Sequence, residues 1–153
     1  MLEVTFSYRY EIALPVTEVY GHLAEPENYV GLSPLVTRVY DIRRHANSDQ
    51  QAVVQYVTVE HFRFFGFIPY NNHIRVTSTQ VQPNAVLIHE VDSPLNVYVR
   101  FVNEFSPIET DRGTSIVETV TIRCPRWVHG FVVGQAKSTQ AVRFARLKAR
   151  LEA

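Results

Sequence analysis

The sequence predicts an α+β fold in which a seven-stranded antiparallel sheet wraps around one long C-terminal helix. Three observations favour it. Apolar and polar residues alternate near the N-terminus, turn signals divide residues 35–124 into six further β segments, and the only long stretch of helical periodicity follows Pro125. The chain has 153 residues, of which 46% are hydrophobic. We therefore expect one core and one domain, covering residues 1–153.

The N-terminal segment predicts a strand followed by two short helices. From Val4 to Ile12 every second residue is apolar, which is the period of a strand with one buried face. Pro15 suits the start of a short helix that ends before Pro26. Pro26 then opens a second short helix that runs through Tyr29.

Residues 35–124 predict β structure alone. Turns rich in Pro, Gly, Asn and Asp separate six candidate strands, which cover 35–44, 50–62, 70–82, 85–92, 97–106 and 114–124. Short turns join antiparallel neighbours, so these strands are expected to form a meander.

The last predicted element is a helix from Pro125 to about Arg150. One side carries residues that are large at its start and mostly small afterwards: Trp127, Phe131, Gly134, Ser138, Ala141, Val142, Ala145 and Ala149. Small residues leave space beneath a helix, so we expect this side to cover an apolar cavity. A second apolar stripe lies roughly opposite and consists of Val133, Phe144, Leu147 and Leu151.

Composition excludes several classes of protein. Fifteen basic residues balance fifteen acidic ones, so the basic excess of a nucleic-acid-binding protein is missing. Cys124 is the single cysteine, which excludes an intrachain disulfide. The six histidines lack the spacing of a metal-binding motif, and no cofactor is predicted. Neither a signal peptide nor a run of about 18 apolar residues is present, so a cytoplasmic location is expected.

The order of elements resembles the START/Bet v 1-like helix-grip superfamily, in its bacterial polyketide cyclase/dehydrase and lipid-transport branch. The most specific stretch is residues 12–20, continued by 24–29 and by Ser33-Pro34; Gly113-Thr114 before a β run matches the family's ending. Where members often carry Trp, this chain has Tyr29, Val30 and Leu32. The resemblance implies a cavity that binds lipids, quinones, sterols or polyketides, and a minority of members catalyse cyclisation or dehydration there.

Three residues are candidates for catalysis. Glu118 shares a strand face with Ile116 and Val120, so its carboxylate is expected on an apolar surface, where it is either a general acid or base or the partner of an arginine. His89 is a candidate for proton transfer. Arg75 is a candidate for holding a ligand oxygen, although alternation favours an outward side chain.

Five residues are candidates for ligand binding. Trp127 and Phe131 begin the long helix, Gly134 leaves space beneath it, and Phe101 and His61 lie on strands that face it. A cavity lined in this way predicts a carrier or binding protein for a small hydrophobic ligand. The alternatives are a polyketide cyclase/dehydratase and an interaction module without a ligand.

The run of residues 61–70 is unusually aromatic for the end of a hairpin. If it is exposed, it forms an apolar surface suited to a lid, a transient membrane contact or a homodimer contact. If it is buried, it caps the core.

Overall fold

The computed structural model describes residues 1–64, 67–110 and 112–153, with the backbone alone at Phe62 and Phe64. Its strands are β1 (Leu2–Ile12), β2 (Val36–Ala46), β3 (Ala52–Phe64), β4 (Ile68–Gln82), β5 (Val86–Ser93), β6 (Val97–Ile108) and β7 (Gly113–Cys124). Its α-helices are α1 (Val16–Ala24) and α2 (His129–Leu151), and 3₁₀ helices cover Pro26–Tyr29 and Arg126–Val128. The predicted α+β class is confirmed, and the second short helix is a 3₁₀ helix.

All seven strands form one antiparallel sheet in the order β1-β7-β6-β5-β4-β3-β2. The meander from β2 to β7 is the predicted one, and β1 pairs along its whole length with β7, from Leu2 opposite Cys124 to Ile12 opposite Thr114. The predicted turns at Gly66 and Asp111 lie in part outside the described residues.

Strand β2 carries the irregularities that bend its end of the sheet. Its pairing with β3 shifts register between Val36 and Arg38 and again between Tyr40 and Arg43. Asp41, inside the second shift, has a positive φ of 54°. Bulges of this kind bend a strand and increase its twist. They therefore help the sheet to curl around α2.

The main core lies where α1 and the C-terminal half of α2 meet the sheet. Its fully buried members come from six separate parts of the chain: Ile12, Val19, Leu32, Leu87, Ile116 and Leu147. This core fixes the closed end of the space between sheet and helix.

The face that α2 turns towards the sheet is not the expected one. Gln140, Phe144 and Leu147 are buried, whereas the whole stripe from Trp127 to Ala149 is exposed. The physical reason is area: Phe and Leu remove far more apolar surface from water than Gly, Ser and Ala do. The stripe of small residues, Gly134 included, therefore faces outward.

Two arginines connect the C-terminal half of α2 to the first 3₁₀ helix and to the loop after it. Arg150 donates to the carbonyls of Asn28 at 2.6 Å and Val30 at 3.3 Å, and Arg146 donates to the carbonyl of Gly31 at 3.2 Å. Gly31 has a φ of 79°, which favours glycine at this position. We call these contacts the arginine latch.

In the described ranges, no helix is both long and apolar enough to cross a lipid bilayer.

Candidate ligand-binding cavity

A cavity of about 240 Å³ lies between the inner face of the sheet and α2. Alternation along the strands aims every second side chain into it. Most of the wall is apolar, with Ile74, Val76, Val91, Val99 and Phe101 from the sheet and Val132, Phe144 and Leu147 from the helix. Tyr70, Leu95 and Phe131 line the cavity and are also exposed, so they mark its mouth.

A charged cluster projects into this apolar space from β7 and α2. Glu118 accepts hydrogen bonds from Arg143 at 2.5 Å and from Gln140 at 2.8 Å. The Glu118 side chain is 5% exposed and that of Arg143 is 12% exposed. Arg143 also lies 5.3 Å from the ring centroids of Phe101 and Phe144, within the range of a cation–π interaction.

A second polar group is a chain of hydrogen bonds through His89. The Tyr29 hydroxyl donates to the carbonyl of Leu23 at 2.8 Å, so its oxygen accepts from His89 Nε2 at 2.9 Å. His89 Nδ1 then accepts from the Ser78 hydroxyl at 2.5 Å. The Tyr56 side chain also forms a hydrogen bond with Ser78, which acts to lower the pKa of Tyr56. From Leu23 to Ser78 the donors and acceptors thus follow one direction, in which His89 is the Nε2–H tautomer.

Burial keeps this chain uncharged. Desolvation, followed by the positive charge of Arg143, lowers the pKa of His89 to about 3. Desolvation raises the pKa of Tyr56 to about 12 and raises that of Tyr29 well above its usual value. His89 is therefore a neutral imidazole near pH 7, and both of its ring nitrogens are already occupied.

A third polar group lies on β3 and β4. Glu60 and Asn72 are paired across the two strands, and both line the cavity. Desolvation raises the pKa of Glu60 from 4.5 to about 7, with Arg143 acting in the opposite direction. Asn72 donates to Ser93 Oγ at 3.2 Å. Its Oδ1 is buried and has no hydrogen-bond partner within the described ranges.

Four of the residues singled out from the sequence line the cavity: Glu118, His89, Phe101 and Phe131. Glu118 has an arginine partner, which was the alternative to an isolated acid or base. Phe131 lies at the mouth and is 47% exposed.

The other four do not line it. Arg75 and His61 are exposed, on strands whose buried neighbours, such as Ile74, face the interior. Trp127 is 75% exposed. No described heavy atom lies within 4 Å of a Cβ placed on Gly134, apart from its own helix backbone and chain neighbours. The helix residues are outside because the other face of α2 packs on the sheet.

Among the polar residues of the cavity that were not anticipated, three matter most for its charge and hydrogen bonding: Arg143, Glu60 and Asn72. Arg143 lies three positions after Gln140 and four before Leu147, so the stripe containing Phe144 and Leu147 would have placed it near the sheet. Alternation with buried Ile74 and Val76 would have placed Asn72 inside. A charged or amide residue on an otherwise apolar face is the signal in both cases.

The described part of the aromatic hairpin is exposed at Phe67, Ile68 and Tyr70. Phe65 and Gly66 of this run lie outside the described residues. Among the residues that the structure describes, no three His, Cys, Asp or Glu side chains are grouped to hold a metal ion.

No family model matches the chain, and no curated protein matches its sequence. Solved structures match its fold. The Zhui aromatase/cyclase from Streptomyces sp. R1128 is 13% identical, with a TM-score of 0.73 over 99% of this chain and 94% of that one. A START superfamily protein from Mycobacterium smegmatis is 15% identical, with a TM-score of 0.71 over 97% of both chains.

A third similar structure is Ara h 8.0201, which is 15% identical and has a TM-score of 0.63 over 97% of both chains. These three proteins share the curved sheet and long C-terminal helix described above, at identities that carry the fold alone. The chain therefore has the helix-grip fold of these solved structures.

Proposed function

We propose that the protein binds or carries a compact hydrophobic ligand in the cavity between its sheet and α2. The observation that carries this proposal is the cavity itself, about 240 Å³ of space with a mostly apolar wall. A protein core is normally packed to the density of an organic crystal. Space of this size therefore costs stability, and a bound apolar molecule would recover about 25 cal/mol for each Å² of apolar surface buried.

The polar groups of the cavity would hold the ligand in one orientation. Arg143 retains donor atoms beyond the one that binds Glu118, because a guanidinium has five N–H groups. A ligand oxygen near Arg143 would therefore be held without breaking the ion pair. A few fixed polar groups in an apolar wall are typical of small-molecule sites.

The test is to fill the cavity from α2. Ala136 lines it, whereas Gly134 faces open space. Ala136→Phe and Gly134→Phe thus place the same side chain on opposite faces of the helix. We expect calorimetry with 2-naphthol to show binding to the wild type and Gly134→Phe, and at least tenfold weaker binding to Ala136→Phe. Equal binding by all three proteins would refute the cavity as the site, provided that circular dichroism shows all three folded.

A cyclase- or dehydratase-type enzyme is the second candidate, favoured by the likeness to an aromatase/cyclase and by an ion pair inside the cavity. Glu118 would then move the proton, and Arg143, rather than the exposed Arg75, would stabilise an enolate oxygen. Both nitrogens of His89 already have partners, which favours binding over proton transfer there. A carrier would return a poly-β-ketone unchanged, and an enzyme would convert it to a cyclic product.

The cavity does not favour the third alternative, an interaction module with a filled core. A homodimer, a transient membrane contact and a cytoplasmic location stay predictions. Native mass spectrometry of the freshly purified protein would report the dimer and any ligand that co-purifies in one spectrum.

A further inference from the structure

The end of the cavity formed by β3 and β4 contains a buried hydrogen-bond acceptor that the protein itself leaves unused. Asn72 is 8% exposed and lines the cavity. Its amide nitrogen donates to Ser93 Oγ, while its Oδ1 has no partner in the part of the chain that the structure describes. A buried acceptor without a partner is costly, so such an atom points to a bound group that donates to it.

Glu60 adds a second oxygen-bearing group beside this acceptor. It pairs with Asn72 across the two strands, so both side chains emerge on the inner face at neighbouring positions. Burial at this end of the cavity raises the pKa of Glu60 to about 7. A protonated carboxyl both donates and accepts, and therefore complements a hydroxyl.

The charge already in the cavity favours a neutral donor. Arg143 is paired with Glu118, and its positive charge still reaches far enough to act on Glu60, whose pKa it lowers. A ligand ammonium would share this low-dielectric space with the guanidinium and be repelled. A hydroxyl group supplies the missing proton without adding charge.

The size of the cavity limits the apolar part of the ligand. An apolar cavity of about 150 Å³ holds benzene, and sites for drug-sized ligands begin at about 300 Å³. The observed volume of about 240 Å³ lies between these two values. It therefore suits one ring or two fused rings.

We propose that Asn72 and Glu60 form a hydroxyl-recognition subsite, and that the ligand is a neutral hydroxylated compound of one or two rings whose O–H donates to Asn72 Oδ1. This inference rests on the proposed function, since it requires that a ligand occupy the cavity.

Three probes of nearly one shape test it: 2-naphthol, 2-methoxynaphthalene and naphthalene. We expect the wild type to bind 2-naphthol about tenfold more tightly than 2-methoxynaphthalene in calorimetry, because only the naphthol has a proton to donate. Asn72→Leu removes the acceptor while keeping the side chain's approximate size. This variant should bind the two probes within about twofold of each other and should retain naphthalene binding. Asn71→Leu, on the exposed outer face, is the matched control and should keep the tenfold preference.

The outcomes separate the subsite from the cavity. If the wild type binds none of the three probes, the proposed function fails as well. If it binds them without preferring 2-naphthol, or if Asn72→Leu keeps the preference, the subsite is refuted and the cavity proposal stands. Loss of naphthalene binding in a folded Asn72→Leu variant would also refute the subsite, since naphthalene makes no hydrogen bond for Asn72 to supply.

Discussion

Arg143 and Glu118 illustrate how a single ion pair can be costly to break although it adds little net stability. Both side chains have left water, so each depends on the other for compensation of its charge. The exposed pair of Arg44 and Glu25 is a natural contrast, because its side chains are 57% and 42% accessible to solvent. Solvent and salt screen that pair.

We expect Glu118→Gln to lower the free energy of unfolding by about 3–5 kcal/mol, since it leaves Arg143 as a buried cation without a counter-charge. The double variant Glu118→Leu/Arg143→Met should recover most of that loss, because it removes both charges. Urea denaturation measures both changes. The control Arg44→Ala should cost less than about 1 kcal/mol, and an equal cost for Glu118→Gln would contradict the assignment of a buried pair.

Glu60 and His89 make stability depend on pH in opposite directions. The folded protein binds a proton at Glu60 more tightly than the unfolded chain does, since the pKa rises from 4.5 to about 7. Glu60 therefore makes the fold less stable as the pH rises from about 4.5 to about 7. His89, with its pKa lowered from 6.5 to about 3, stabilises the fold as pH rises from about 3 to 6.5.

Comparing the stability of the wild type with that of Glu60→Gln isolates the pH effect of Glu60. Between pH 4.5 and pH 7, the wild type should lose up to about 3 kcal/mol of stability relative to Glu60→Gln, because each pKa unit corresponds to about 1.4 kcal/mol. Urea denaturation of both proteins at several pH values gives this difference, and His89 cancels from it. Parallel stability profiles would show that Glu60 is not desolvated.

Helix α2 is held to the rest of the molecule unequally along its length. Its buried residues, Gln140, Phe144 and Leu147, lie at its midpoint or beyond, where the arginine latch also acts. The first turn has no side-chain N-cap, and caps of this kind typically contribute about 1 kcal/mol.

Removal of the Arg150 part of the arginine latch should therefore weaken the attachment of α2 to residues 28–32. Arg150→Ala deletes the donors to Asn28 and Val30, and we expect a loss of about 1–2 kcal/mol on thermal or urea unfolding. Hydrogen exchange should become faster at the backbone amides of residues 28–32. Arg126→Ala, at an exposed position before α2, is the control and should change neither measurement.

The same helix shows where sequence reasoning stops. The apolar stripe that begins with Trp127 and Phe131 is continuous in the sequence, whereas the face that packs on the sheet is interrupted by Gln140 and Arg143. Because these two polar residues belong to the charged cluster, the apolar periodicity of the inner face is harder to recognise from the sequence. In β7, by contrast, Ile116, Glu118 and Val120 lie on the predicted inner face, since strand alternation tolerates one polar residue without ambiguity.

At the scale of the whole molecule, turn signals and alternation sufficed for the strand order, because each short turn joins neighbours in an antiparallel meander. The cavity could be expected from the resemblance, and Glu118 and His89 of its polar lining from strand alternation, but Asn72, Glu60 and Arg143 could not. Asn72 and Glu60 meet only through the register of β3 and β4, and Arg143 reaches Glu118 only because α2 turns its larger apolar residues inward. Register and helix rotation depend on packing of the complete core.

The pairing of β1 with β7 also sets the order in which the molecule can be completed. Leu2 lies opposite Cys124, so β1 can pair with its neighbour in the sheet only after more than a hundred further residues have been synthesised. Contacts so distant in sequence form slowly, because a long loop must close before they stabilise anything. Helix α2 follows β7 in the chain and supplies the remaining wall. During synthesis on the ribosome, the cavity can therefore be completed only after α2 has emerged, and the proposed ligand would enter it only then.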